Sequence, residues 1–153
     1  MLSRLLVFWA YAAELVLSST VLFLVVVAFG IDRVAYFMQV SAPDFAAYFG
    51  ATMFAASLAL FWTFYSKADS DFMQWLQERG AFSVYLRAFH VTIAIYLVML
   101  LAVAAAKHTG STVIAIAAAW ISFLGIINAY SIVKNVSDLM RLNVLFNQKK
   151  NHP

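Results

Sequence analysis

Apolar residues fall along this chain in four long blocks with short polar breaks between them. The blocks cover residues 5–29, 45–65, about 84–106 and about 112–133. Each is near or above the roughly 20 residues that a helix needs to cross a ~30 Å hydrocarbon core. The first, at about 37 Å, must tilt or protrude. None alternates apolar and polar residues as a barrel strand does, so the pattern predicts four transmembrane helices. The first block is longer than a signal-peptide core and carries Glu14. No A-x-A site follows a short apolar run, which argues against cleavage.

The breaks have patterns of their own. In residues 30–44, Ile31, Val34, Phe37 and Met38 recur at helical spacing. That predicts an extension of the first span, or a short amphipathic helix on the outer surface. Ser41 or Asp44 is placed to cap the second span, with Pro43 in its first turn. In residues 66–83, Phe72, Trp75 and Leu76 stand at i, i+3, i+4, after Asp69 or Ser70 as N-cap and before Gly80 as stop. Trp75 suits the headgroup layer, so this segment reads as a short interfacial helix. The tail, residues 134–153, continues the fourth helix with an imperfect stripe of Val136, Leu139, Met140 and Val144. It reads either as a frayed extension or as a docking peptide for a cytoplasmic protein. Lys149 and Lys150 suit anionic lipid or an acidic partner.

Composition turns this pattern into a class. The 153 residues are 65% hydrophobic and 11% charged, against about 25% charged in an average soluble domain. The mean hydropathy is +0.87. Too few polar groups are present to cover a soluble globule. This excludes a soluble enzyme, a disordered tail and a nucleic-acid-binding domain. With no cysteine there is no disulfide framework, thiol nucleophile or cysteine-bound metal. The few cations orient the spans. Arg4, Lys67, Arg79, Arg87, Lys134, Arg141, Lys149 and Lys150 fall on one side, and only Arg33 and Lys107 on the other. Lys and Arg collect on the cytoplasmic face, so both termini are expected inside. The fold expected is all-α: a single integral-membrane domain over residues 1–153, a four-transmembrane-helix bundle, N-in and C-in.

Ionisable groups within spans are costly and mark candidate sites. Glu14 lies roughly 13 Å along the first span. Arg87 and His90 stand three apart on one face of the third, at comparable or shallower depth. A contact between Glu14 and either is geometrically open. The cluster could join helices and fix register, or Arg87 could snorkel to headgroups. It could also form an ion- or proton-responsive site containing His90. Asn128 is placed to hydrogen-bond across a helix interface. Ser18, Ser19, Thr20 and Thr52 can satisfy local carbonyls. Small residues repeat as Ala51, Ala55, Ala59 in the second span and as Ala118, Ser122, Gly125, Ala129 in the fourth, faces suited to close helix packing within or between subunits. A four-helix bundle has little interior of its own, so a pore would form more easily between subunits, which favours a homo-oligomer. No metal site or cofactor is expected, since His90, His108 and His152 lie in separate regions. No nucleophile–base–orienter set appears, so no enzymatic activity is expected.

The second span reads AYFGATMFAASLAL, the following loop ends in QERG, and the fourth span reads VIAIAAAWISFLGIINAYSIV. This order resembles the small four-span membrane subunits of phage-exclusion systems, the RexB family and the Kiwa membrane subunit KwaA. Tyr48, Gly50, Thr52 and Met53 match the head of the second span in the RexB family. Glu78 and Gly80 match the end of its cytoplasmic loop. The resemblance covers residues 45–133, and Glu14, Arg87 and His90 lie outside its motifs. It implies a multi-pass subunit of the bacterial inner membrane, tetrameric, working with a cytoplasmic DNA-associated effector encoded nearby and not touching nucleic acid itself. The Kiwa subunit implies a sensor of infection or membrane perturbation that anchors its effector. RexB implies an ion channel that depolarises the cell. The docking surface expected is Phe72, Trp75, Glu78 and Arg79 with Arg141, Lys149 and Lys150. Residue patterns alone leave two other readings open: a holin-like pore, and an assembly subunit of a larger membrane complex.

Overall fold

A computed structural model describes residues 2–151, with side chains for residues 11–148. His152 and the side chains of Arg4, Lys149 and Lys150 lie outside this range. All regular elements among the described residues are helical: α1 (Leu2–Phe29), α2 (Ile31–Phe45), a π-helical turn (Ala46–Gly50), α3 (Ala51–Ser66), α4 (Asp71–Glu78), α5 (Ala81–Thr109) and α6 (Thr112–Asn151). Among the described residues, four helical stretches are long and apolar enough to cross a membrane: Tyr11–Phe29, Ile31–Ser66, Ala81–Thr109 and Thr112–Gln148.

The first break is helical, as the spacing of Ile31, Val34, Phe37 and Met38 predicts, but its junctions differ from those expected. Gly30, at φ 86 and ψ 147, is the sole residue between α1 and α2. Only glycine adopts that backbone readily, so one residue replaces a loop. From Ile31 the helix runs on to Ser66 as one rod. Residues 31–45 therefore form the helix that their spacing predicts, continuous with the second span rather than with the first. Val34, Ala35, Met38 and Ala42 are buried against α5 and α6, whereas Ile31 and Phe37 of the expected stripe stay exposed. Ser41 is no cap: its hydroxyl donates to the Phe37 carbonyl at 2.7 Å. Pro43 sits inside the helix, not in a first turn. It supplies no N–H and so removes one rung of the ladder. Just beyond it the Ala46 N–H is shared by the Ala42 and Pro43 carbonyls, and the helix widens into the π turn.

α6 is the hub of the membrane part. It packs against α1, α2 and α5, while α3 leans on α5. The buried stripe of α5 is Phe89, Thr92, Tyr96, Met99, Val103 and Ala106, alternating steps of three and four. That spacing keeps one seam facing a neighbouring helix. The small face of α6 is used as expected: Ala118, Ser122 and Gly125 are buried, and Ala129 is half-buried. The alanine stripe of the second span is not. Ala51, Ala55 and Ala59 are all exposed. The face that packs carries Gly50 and Ser57 with Met53 and Phe64, which offers both close approach and contact area.

The amphipathic helix between the second and third spans forms as α4. The Ser70 hydroxyl accepts from the Met73 N–H at 3.4 Å, and Gly80 ends the segment in the left-handed conformation. Met73 and Leu76 are its buried residues. They meet Phe64 and Phe89, with Val136, Leu139 and Leu142 of α6 beside them. Phe72 and Trp75 are half-buried at the edge of this cluster. Removing the long cap bond with Ser70→Ala is expected to cost about 0.5–1 kcal/mol. Amide exchange should quicken in α4 while the membrane helices stay protected.

Candidate functional site

Two polar regions stand out, one inside the bundle and one at the end shared by α4 and the last turns of α6. The inner region starts from Glu14 on α1. Its carboxylate Oε2 accepts a hydrogen bond from Asn128 Nδ2 of α6 at 3.2 Å. Both side chains are buried, at 9% and 3% exposure. Asn128 Oδ1 has no partner among the described residues, so there the amide is half satisfied. One turn along α1, the fully buried Ser18 returns its hydroxyl to the Leu15 carbonyl, as Ser19 and Thr20 do to Leu15 and Val16. Two further bonds tie the helices. Tyr96 of α5 donates to the Gly125 carbonyl at 3.1 Å, and the Trp120 indole donates to Ser19 Oγ at 3.0 Å.

The four intramembrane candidates therefore divide. Glu14 and Asn128 come together. Arg87 and His90 do not join them: both are exposed on α5, and no ion pair links them to Glu14 among the described residues. His90 packs its ring against Phe61 of α3, 4.9 Å between centroids. The reason is rotational. α5 turns Phe89, Thr92 and Tyr96 toward the core, which carries Arg87 and His90 to the outer face. An exposed arginine there can extend toward headgroups at little cost. Among the described residues no group of three or more His, Asp or Glu converges.

Tyr96 and Met99 were not singled out by sequence, and Gly50 was named only for its place in the resemblance, not for packing. A Cβ on Gly125 would stand 2.9 Å from Met99 Sδ, and one on Gly50 would stand 3.1 Å from Met99 Cε. Met99, fully buried, is held between two glycines on different helices. The step pattern of the α5 seam was the available signal, but its flanks are equally apolar and hide it.

At the other region, α6 runs on as an unbroken helix to Asn151, so the tail continues the fourth helix as its pattern predicts. Forty residues make a rod of about 60 Å, twice the ~30 Å hydrocarbon core. Its end meets α4 through three rings. Phe146 lies 5.8 Å from Phe72 and 5.7 Å from Trp75, and Phe72 stacks on Trp75 at 6.0 Å. The Arg79 guanidinium covers the Trp75 ring at 4.3 Å, a cation–π contact. A cleft of about 560 Å³ opens between α3, α4 and α6, with Lys67, Asn143 and Asn147 on its walls. Of the expected docking set, Phe72, Trp75 and Arg79 meet at this junction, and the side chains of Lys149 and Lys150 lie outside the described range. Phe72 and Trp75 are engaged within the chain, whereas Glu78, Arg79 and Arg141 are exposed. No family model, curated protein or solved structure matches this chain.

Proposed function

We propose that this chain is the membrane anchor of a two-part bacterial defence system, holding a cytoplasmic DNA-associated effector on the inner face of the inner membrane. The carrying observation is the aromatic junction of Phe72, Trp75 and Phe146, which fastens α4 to the end of α6. A short helix and a helix end that lock together form a rigid surface, and rigid surfaces bind at lower ordering cost. Exposed Trp62, Tyr65 and Tyr130 support a membrane boundary near the end of α3 and the matching level of α6. The excess of Lys and Arg beyond that level supports an N-in, C-in orientation, with α4 at the inner interface. The resemblance of residues 45–133 to phage-exclusion subunits supplies the nature of the partner, and sensing of infection as the trigger. Ala51, Ala55 and Ala59, exposed in a single chain, are the face on which copies would associate.

Charge reversal tests the anchor without dismantling it. Arg141→Glu, Lys149→Glu and Lys150→Glu together are expected to weaken co-purification with the product of the adjacent gene at least tenfold. α4 protection should be unchanged. Undiminished capture by the triple variant would count against this surface. A pore makes a different demand: liposomes holding the purified protein alone should leak ions. Sealed liposomes are expected here.

A further inference from the structure

A groove of about 660 Å³ runs between α1, α2 and α6, well away from the α4 junction. That volume lies within the range of small-molecule sites. Its floor is the buried Val34, Met38 and Ala119, and Phe29 and Phe37 rise at its sides. Its length follows from α2, since Arg33 at one end and Phe45 at the other are separated by about 18 Å. Half of a ~30 Å core is about 15 Å, so the groove covers one leaflet's depth of hydrocarbon.

The polar atoms of this groove are unevenly placed. Ser41 and Ser122 line it, but both hydroxyls are already committed, to the Phe37 and Ala118 carbonyls at 2.7 Å each. They leave the walls with no donor to satisfy, so the body of the groove accepts hydrocarbon only. At its mouth stands Arg33, exposed and with no ion pair among the described residues. It lies three residues after the break at Gly30, where the first span ends and the second begins. Its only charged neighbour in sequence, Asp32, does not line the groove. A ligand that fits must carry a hydrocarbon tail about one leaflet long and an anion at one end.

We propose that this groove is a binding site for one anionic phospholipid, its acyl chain laid along Val34, Met38 and Ala119 and its phosphate against Arg33. The bilayer supplies such molecules at the right depth and orientation. Arginine presents a planar fork that suits phosphate oxygens. The wall offers a chain contact on three sides, which a lipid against a convex helix surface lacks.

Native mass spectrometry of the full chain, exchanged into detergent with phosphatidylglycerol or phosphatidylcholine of the same chains, tests this. The wild type is expected to retain phosphatidylglycerol about fivefold better than phosphatidylcholine, the scale of one arginine near an anionic surface. Arg33→Gln should erase that preference, and Arg33→Lys should keep part of it. Ser122→Phe, which fills the groove, should abolish retention of both lipids. A matched melting curve and elution volume would show that this variant folds. Inorganic phosphate alone should not compete. Equal retention of the two lipids by the wild type overturns the anionic site. Retention untouched in folded Ser122→Phe overturns the groove. A dimer that excludes lipid and dissociates on Ser122→Phe would assign the groove to a second copy and overturn the lipid.

Discussion

Replacing Asn128 with leucine is expected to destabilise the folded bundle by about 2–3 kcal/mol. The substitution removes the donor of the bond to Glu14, and the carboxylate then lies buried without its amide. The penalty comes from stranding one partner rather than from the worth of the pair. Glu14→Leu combined with Asn128→Leu should therefore recover most of the loss, since well-packed apolar residues often match a buried polar pair. Glu14→Gln keeps an acceptor for the amide and should cost under about 1 kcal/mol, the scale of neutral bonds between membrane helices. Equilibrium unfolding of micellar protein by dodecyl sulfate measures all three. If the double variant fell as far as Asn128→Leu, packing and not stranded charge would set the cost.

Gly125→Leu is expected to be as damaging, at about 3 kcal/mol, the upper part of the range for overpacked cores. A side chain there meets Met99 Sδ and the Tyr96 ring, and it disturbs the carbonyl that receives the Tyr96 hydroxyl. Methionine often yields to such pressure because its end is flexible. Here it has little room, since Cε is already 3.1 Å from where a Cβ on Gly50 would sit. Met99→Ala opens that space, so Met99→Ala with Gly125→Leu should be more stable than Gly125→Leu alone. Thermal melts in lipid nanodiscs, read as a double-mutant cycle, give the coupling. Additive losses would mean that the two side chains do not compete for the same space.

Much of this architecture was legible in the apolar blocks. Four spans, the α4 segment, its Ser70 cap and its Gly80 stop follow from length, spacing and punctuation, because those signals are local. The helix from Ile31 to Phe45 was legible in its spacing, but its continuity with the second span was not, because Ser41, Asp44 and Pro43 all read as the start of a new helix. A single left-handed glycine can replace a loop, and a proline inside a helix is tolerated where a π turn absorbs the lost rung. Glu14 and Asn128 were visible as anomalies in apolar surroundings, but their pairing was not. Which polar residues meet depends on the rotation of each helix, and an evenly apolar segment does not encode rotation in its hydrophobic pattern. For the same reason Arg87 and His90 could not be assigned to the outer face from sequence. The exposed alanines of α3 show the converse: a small stripe marks where close approach is possible, not that the same chain makes it.

The unbroken run of α6 has a mechanical meaning. Asn128 and Phe146 sit on the same stiff shaft, 18 residues and so about 27 Å apart. A helix with neither proline nor glycine between those points has no built-in hinge to absorb a tilt. Pivoting the shaft by roughly ten degrees at the level of Asn128 would swing Phe146 through about 5 Å, given that length. That displacement is close to a full ring-to-ring spacing in the junction with α4. A lean of that size at the level of Asn128 would be large enough to part the ring contacts of the aromatic clasp.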